Sequence, residues 1–239
     1  MNWKNAGENR FFGWFRALGT EIVLSLVGLR YCFSCRFLCF ELQRRLIYLF
    51  CSPWAISRRF LDQQGQSSDV QDAQGYGETP LITLNAVARR LRLSEKDALL
   101  ELGSGTGRNC AWLSDRYGCR TCGIEQIPQY VYFAEKMVKR HFSDGQVSLI
   151  CGDMFALDMS DWHFVYVDCT AMSEPCIGQV AFLCAGLPNG AKLVTVNASM
   201  SEWMPERFQI ETVFPGLFIW GWSEIRIHRV GPPDESAET

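Results

Sequence analysis

The sequence is poor in histidine, in net charge and in long apolar runs, and each shortage argues against a class of function. Only three of the 239 residues are histidine, all isolated, which disfavours a histidine-based metal site. A net charge of −3 gives no general attraction to nucleic acid, so we do not expect nucleic acid as a partner. The apolar run 17–29 rises only about 20 Å as a helix, short of the roughly 30 Å hydrocarbon core, and it contains Glu21. We therefore do not expect a clean transmembrane span.

Cysteine is frequent by comparison, with eleven residues spread over predicted strands and helices. Disulfide scaffolds normally belong to shorter, loop-rich secreted chains, and an odd number does not suit one. The spacing of 32, 35 and 39, and of Cys119 and Cys122, allows metal ligation, but the second pair flanks a predicted strand. We predict reduced cysteines in a cytoplasmic protein and no metal site.

The segment 1–75 reads as an apolar helical extension that ends in a polar linker, 63–74. Within residues 11–60, polar side chains recur at helical spacing and leave a narrow stripe on an otherwise apolar helix. Two interpretations stay open: an interfacial membrane helix, which would make the protein membrane-associated, or a helix packed on the remaining chain or on a twin subunit. The stripe consists of Arg30, Ser34, Glu41, Arg44, Arg45, Tyr48 and Ser52.

From residue 76 to 231 the pattern alternates between strands and helices, which predicts an α/β domain. We expect a Rossmann-like, doubly wound, mostly parallel sheet that ends in an antiparallel C-terminal hairpin, with its two strands joined at Pro215-Gly216. Thr79 is the predicted N-cap of the first helix, and residues 232–239 are a predicted disordered tail. The predicted strands are 98–102, 120–124, 147–151, 163–168, 191–197, 209–214 and 222–228, and the predicted helices are 80–91, 107–117, 128–142 and 175–186.

The most informative motif is Glu101-Leu-Gly103-Ser104-Gly105-Thr-Gly107, which directly follows a predicted buried strand. Its glycines allow a sharp turn and a close ligand, and the helix that follows points unpaired N–H groups at that ligand. The dinucleotide fingerprint G-x-G-x-x-G would need glycine at 108, where the chain has arginine. The order E-x-G-x-G-x-G resembles the first motif of the Rossmann-like S-adenosylmethionine-dependent methyltransferases, which implies that cofactor.

Acidic residues stand at the ends of the next three predicted strands, where a doubly wound sheet binds its ligand. Glu125 lies at the usual distance after the glycines for a carboxylate that accepts ribose hydroxyls. Asp153 can accept the adenine amino group, with the apolar neighbour Met154 over the ring; capping of a helix is the alternative. Asp168 ends the fourth strand, where it either orients the methyl acceptor or anchors its own loop.

A more specific resemblance begins at Tyr76-Gly-Glu78-Thr-Pro80, about 25 residues ahead of the glycine motif. This sequence is similar to the entry motif of the non-SET histone lysine methyltransferases, which implies cofactor contacts for Glu78, Glu101, Glu125 and Asp153. The chain end, with Trp203, Trp220 and Trp222, resembles instead the mitochondrial protein-lysine methyltransferases. Both resemblances imply a protein substrate with a lysine acceptor.

The acceptor side is less marked than the cofactor side. We predict Asp168 as the catalytic residue, with Tyr166 or Trp203 as a wall of the acceptor channel. Trp220 and Trp222 fit either strand packing or an aromatic lysine channel. Two other functions stay open: a small-molecule or lipid methyltransferase, and a membrane-attached cofactor-binding module without turnover.

Overall fold

The structure, a computed structural model, describes residues 30–31, 34–63 and 77–232. Most of the predicted linker and tail, and the apolar run 17–29, lie outside these residues. The described part forms one α/β unit with six α-helices and seven strands. The helices are α1 (Cys35–Phe50), α2 (Pro53–Gln63), α3 (Leu81–Leu91), α4 (Arg108–Tyr117), α5 (Pro128–His141) and α6 (Glu174–Cys184), and the strands are β1 (Ala98–Leu102), β2 (Arg120–Glu125), β3 (Val147–Cys151), β4 (Phe164–Asp168), β5 (Lys192–Val196), β6 (Phe208–Phe218) and β7 (Gly221–Val230).

The seven strands form one sheet in the order β3-β2-β1-β4-β5-β7-β6. Strands β1 to β5 are parallel, and β7 is antiparallel to both β5 and β6. The strand order reverses between β1 and β4, which places the topological switch point after the carboxyl ends of these two strands. The predicted fold, a doubly wound parallel sheet with an antiparallel C-terminal hairpin, is confirmed.

Apolar side chains cover both faces of the sheet. On one face α1, α3, α4 and α5 pack around the fully buried Trp112, and on the other α6 packs around Val180 and Met200. Strands β1, β2, β4 and β5 are mostly buried on both faces, as expected for a sheet with helices on either side, whereas the edge strand β3 is largely exposed.

Helix α1 packs on the domain with Glu41, Arg44 and Tyr48 of the predicted polar stripe facing inward, whereas Arg45 of that stripe is exposed. Phe37, Phe40, Glu41, Arg44 and Tyr48 are buried, and the helix contacts α4 and α5. The described part of this segment therefore packs on the rest of the chain, as one of the two interpretations expects, and a membrane contact stays a prediction. The opposite, leucine-rich face of α1 remains exposed.

Two local predictions were wrong. Thr79 is not an N-cap: Pro80 occupies that position, and the Thr79 hydroxyl instead bonds the Tyr166 hydroxyl at 2.6 Å. The hairpin does not turn at Pro215-Gly216, because β6 continues through both residues and the chain reverses after Phe218. Strand β6 lies at the edge of the sheet, where proline can be tolerated without loss of an inner ladder bond.

Candidate active site

A cavity of about 430 Å³ opens at the carboxyl ends of β1, β2 and β4, at the switch point of the sheet. This is the expected position of a ligand in an open α/β sheet. Helix α2 also contributes to its wall through Ser57 and Leu61, a contribution that sequence reasoning missed. The lining includes the predicted residues Glu78, Glu101, Gly103, Ser104, Gly105, Glu125 and Asp168.

The glycine turn has the backbone geometry that its sequence predicts. Gly103, Gly105 and Gly107 all have positive φ, 75°, 52° and 70°, a region that side chains other than glycine disfavour. Gly107 does not line the cavity but is the N-cap residue of α4. Beneath the turn, a Cβ on Gly123 would lie 2.5 Å from the Ser104 side chain, so this further glycine allows the turn to pack closely on β2.

Two polar atoms of the cavity wall are buried without a hydrogen-bond partner among the described residues: Ser104 Oγ and Asn109 Oδ1. Buried polar groups are normally satisfied, and one left open costs about 1–3 kcal/mol. Both atoms therefore fit a polar ligand that binds against the glycine turn.

Glu101 lies at the bottom of the cavity and is almost completely buried. Its carboxylate accepts from Asn109 Nδ2 at 2.7 Å and from the Cys110 thiol at 3.2 Å. Burial raises its pKa to about 7, although both hydrogen bonds act in the opposite direction. A cationic ligand group would stabilise the ionised form, which suits the ammonium group of a bound amino acid.

Glu125 ends β2 and ties the glycine turn to the start of α5. Its Oε2 accepts from the Gly105 N–H at 2.9 Å, and its Oε1 accepts from the Ile127 N–H at 2.9 Å. Burial raises its pKa, and the backbone hydrogen bonds oppose that shift. Each carboxylate oxygen keeps a lone pair for a ligand hydroxyl, so the predicted ribose contact is compatible with this geometry.

Glu78 connects the cavity with α1. It accepts from Arg44 Nη1 at 2.6 Å and from the Thr106 hydroxyl at 2.9 Å, and Arg108 Nε lies 3.8 Å away. Both arginines also contact Glu41, whose oxygens lie 2.9 Å from Arg44 and 3.2 Å from Arg108. Burial alone would raise the pKa of Glu41, but these guanidinium groups hold it well below its usual range. The inward stripe of α1 is thus a set of paired charges behind the cavity.

The other end of the cavity is formed by Asp168, Tyr166, Met172 and Trp220. Asp168 Oδ1 accepts from both the backbone N–H and the hydroxyl of Thr170, at 3.0 and 2.6 Å. Its Oδ2 accepts no hydrogen bond from any described residue. Burial raises the pKa of Asp168, with the two Thr170 bonds opposing the shift. One carboxylate oxygen thus anchors the loop, and the other is available to a ligand.

A chain of side-chain hydrogen bonds links this loop to the hairpin. Asn197 Nδ2 donates to Thr170 Oγ1 and to Ser223 Oγ, each at 3.1 Å, and Trp220 Nε1 donates to Ser223 Oγ at 2.9 Å. Asn197 adopts a left-handed conformation, with φ 57°, which asparagine tolerates better than most residues. No sequence motif marked this asparagine, because its partners are 26 and 27 residues away.

Four residues considered from the sequence do not line the cavity. Asp153 caps the short turn Met154–Ala156 by accepting from the Phe155 N–H at 3.0 Å, and Met154 packs on the far face of the sheet. The adenine contact of this pair stays a prediction. Trp203 lies against α6 and is not a wall of this cavity, and Trp222 is mostly exposed. Among the described residues, no group of three or more metal-ligating side chains is gathered in one place.

Similarity to known proteins agrees with this geometry. Residues 99–181 match the sequence model of a family described as a methyltransferase domain. Over 101 residues the chain is 29% identical to a sphingolipid C9-methyltransferase of Komagataella phaffii, covering 42% of this chain and 21% of that enzyme. The chain thus spans about a fifth of the length of this curated relative.

Solved structures share the fold. An RNA methyltransferase from Salinibacter ruber, in complex with S-adenosyl-L-homocysteine, superposes with a TM-score of 0.51 at 25% identity, covering 66% of this chain and 97% of that one. TrmN from Thermus thermophilus superposes with a TM-score of 0.56 at 10% identity, covering 67% of this chain and 52% of that one.

The domain therefore has the class I S-adenosylmethionine-dependent methyltransferase fold. The predicted enzyme class and cofactor are confirmed at the level of the domain. The lysine-specific subfamily is not, because these matches include proteins named for lipid and RNA methylation.

Proposed function

We propose that the chain transfers a methyl group from S-adenosylmethionine to the side-chain amine of a lysine in a protein. The observation that carries this proposal is the acceptor end of the cavity, where the open Asp168 Oδ2 lies with Tyr166 and Trp220. A carboxylate oxygen between aromatic walls suits an amine on an apolar stem, because the walls contact the stem and the oxygen accepts from the nitrogen.

On the cofactor side, the glycine turn, Ser104, Glu101 and Glu125 would hold S-adenosylmethionine, whose sulfonium supplies the methyl group. The Glu101 carboxylate suits its ammonium group, and Glu125 suits its ribose. The unpartnered Ser104 Oγ supports the presence of a polar ligand against the turn.

On the acceptor side, the lysine must lose its proton and its water before its nitrogen can attack. Tyr166 is almost completely buried, and with Trp220 it offers a low-dielectric wall that disfavours the charged amine. Asp168 would accept an N–H hydrogen bond and align the nitrogen lone pair with the methyl group. Alignment of two reactants can lower the activation barrier by about 7–11 kcal/mol.

The test is incubation of the full chain with radiolabelled S-adenosylmethionine and a cell lysate, followed by separation of protein and lipid fractions. We expect label in protein, recovered after acid hydrolysis as methylated lysine. Label recovered only in the lipid or small-molecule fraction would favour the alternative acceptor class. Cofactor binding without label in any fraction would favour a binding module.

We also propose that the outer face of α1 makes a peripheral membrane contact. Leu42, Leu46, Leu49 and Phe50 lie on this face, are 53–84% exposed and follow helical spacing. The exposed Trp54 and the exposed arginines of α2, Arg58 and Arg59, lie just beyond it. An apolar helix face beside cationic residues is typical of a helix at an anionic lipid surface. None of the described helices has the length and apolarity to cross a bilayer.

Vesicle flotation tests this contact. The full chain should float with vesicles of four parts phosphatidylcholine to one part phosphatidylglycerol, and less with phosphatidylcholine alone. Replacement of Leu46 and Leu49 by serine should reduce flotation, while the matched pair Phe182→Ser and Ile210→Ser, exposed elsewhere, should not. Equal flotation of both double variants would contradict the assignment, and a change from dimer to monomer in the α1 variant would identify a second copy as the occupant.

A further inference from the structure

A second cavity, of about 920 Å³, lies beside α6 on the sheet face opposite α1. We name it the α6 groove. Three aromatic rings form its walls and remain partly exposed: Phe155 at 37%, Phe182 at 78% and Trp203 at 44%. Aromatic side chains supply much of the energy at the centres of protein interfaces. The groove therefore offers apolar contacts that the isolated chain leaves open to solvent.

The Trp203 side chain packs against α6 at a glycine. Gly178 lies in the middle of the helix, a position where glycine is less favourable than alanine. A Cβ at this position would lie 2.6 Å from Cζ3 of Trp203, so any other residue would push the indole away. The glycine thus makes room for the Trp203 ring beside the helix.

Three carboxylates, those of Asp158, Glu174 and Glu202, lie in the groove lining or next to it along the chain, and we call them the acidic rim. Asp158 lines the groove, and the exposed carboxylates of Glu174 and Glu202 lie directly before two lining residues, Pro175 and Trp203. The pKa of Asp158 is lowered by a hydrogen bond from the Ser160 N–H, which keeps it charged. Apolar walls with this rim complement a ligand that is both apolar and cationic.

The described residues place no lysine or arginine in the groove lining. One guanidinium, that of Arg207, lies at the carboxyl end of α6. It donates to the carbonyls of Ala185 and Leu187 and to the side chain of Asn189. Its donors are therefore committed to neutral acceptors at the end of α6; it keeps its positive charge, and it is not among the residues that line the groove.

The α6 groove is close to the acceptor end of the active site. Met172 lines the active-site cavity and Pro175 lines the groove, so a lining residue of one cavity stands three residues from a lining residue of the other. Three extended residues span at most about 11 Å. A peptide that occupies the groove can therefore present a neighbouring side chain to Asp168.

We propose that the α6 groove binds a segment of the substrate protein in which apolar or aromatic residues are flanked by lysine or arginine. The apolar residues contact Phe155, Phe182 and Trp203, and the cationic residues face the acidic rim. That this segment belongs to a substrate, and that the acceptor in it is a lysine, rests on the proposed function; the binding of such a peptide to the groove does not.

Fluorescence anisotropy with two synthetic peptides tests the docking. One peptide carries two leucines and two phenylalanines between pairs of lysines, and its twin carries glutamates in place of the lysines. The full chain should bind the lysine peptide at least ten times more tightly than its twin, and several-fold more weakly at 300 mM than at 50 mM salt, because exposed charges are screened. Phe182→Ser and Trp203→Ala should each weaken binding about tenfold, and Asp158→Asn about threefold.

Trp222→Ala is the matched control, since Trp222 is 71% exposed and lines neither cavity. Calorimetry with S-adenosylmethionine on each variant confirms an intact domain. Equal binding of the two peptides, or of all variants, would overturn the docking proposal. So would a loss of dimer in Phe182→Ser, because a second copy would then be the occupant. Binding of the lysine peptide without its methylation would support docking and count against the lysine acceptor. Methylation that groove variants leave unchanged would support the lysine acceptor and count against docking.

Discussion

The two halves of the sheet shape the cavity by different means. In the half formed by β1, β2 and β3, the backbone shapes the site: three glycines with positive φ make the turn, and Glu125 fastens it through two backbone N–H groups. In the half formed by β4, β5, β6 and β7, side chains do this work, through the bonds that join Asp168 to Trp220 by way of Thr170, Asn197 and Ser223.

This difference separates what is general in the molecule from what is particular. A backbone-shaped site depends on a few residue types at fixed spacing and serves a cofactor common to many acceptors. A site made by side chains from three separate segments can be changed one residue at a time without loss of the cofactor. Variants of the two halves should therefore affect different kinetic constants, and the following four predictions test that separation.

The largest effect is expected from Asp168→Asn. The asparagine oxygen can still accept from Thr170, so the loop anchor is kept while the charge facing the acceptor is lost. We expect turnover to fall about 10²-fold or more, with cofactor affinity changed no more than a few fold, because the lost contact serves alignment. Turnover and Tm are measured on the same preparation. Wild-type turnover per folded molecule would assign Asp168 to loop anchoring alone.

Next in size is Glu125→Ala, which removes the carboxylate from the backbone-shaped half. Loss of its contacts to a cofactor should weaken binding at least tenfold, equivalent to about 1.4 kcal/mol, with turnover at saturating cofactor largely kept. Isothermal titration with S-adenosylmethionine and its demethylated product measures the affinity, and thermal unfolding controls for the lost bonds to Gly105 and Ile127. An unchanged affinity would remove Glu125 from the ribose site.

The third prediction concerns pH. Because the pKa of Glu101 is raised to about 7, the unliganded site takes up a proton as the pH falls below 7. A cationic ligand group prefers the ionised carboxylate, so cofactor affinity should fall by up to tenfold per pH unit between pH 7 and 5.5. Titrations across this range should show the slope, and Glu101→Gln should bind weakly with little slope. A flat profile in the unaltered protein would separate Glu101 from the ammonium group.

The smallest effect is expected from Asn197→Gly, which keeps the left-handed backbone and removes the side chain that joins Thr170 to Ser223. We expect turnover to fall about three- to fivefold with cofactor affinity unchanged, since only the positioning of the acceptor end is relaxed. Asn197→Asp, which keeps the acceptor for the Glu224 N–H, serves as the conservative comparison. A change in cofactor affinity equal to that in turnover would show that the two halves are not separable.

Much of the fold was predictable, because buried parallel strands and amphipathic helices have strong periodic patterns and glycine marks positive φ. Observed and predicted bounds of β1 and β3 agree, and α5 ends one residue earlier than predicted. The hairpin turn was misplaced because proline and glycine at an edge strand look like a turn in sequence. Asn197 and the α2 wall of the cavity carried no local signal, since long-range packing alone brings them to the site, whereas Trp220 was considered from the sequence and does line the cavity.

The charges that α1 shares with the cavity have a thermodynamic consequence. Arg44 and Arg108 each contact both Glu41 and Glu78. The packing of α1 on the domain and the position of the Glu78 carboxylate in the cavity therefore depend on one another. Binding equilibria coupled in this way are reciprocal: if seating of α1 multiplies ligand affinity by some factor, the ligand multiplies seating by the same factor. A surface that holds α1 in place would then act as an effector, and the occupied cavity would in turn tighten the hold of the chain on that surface.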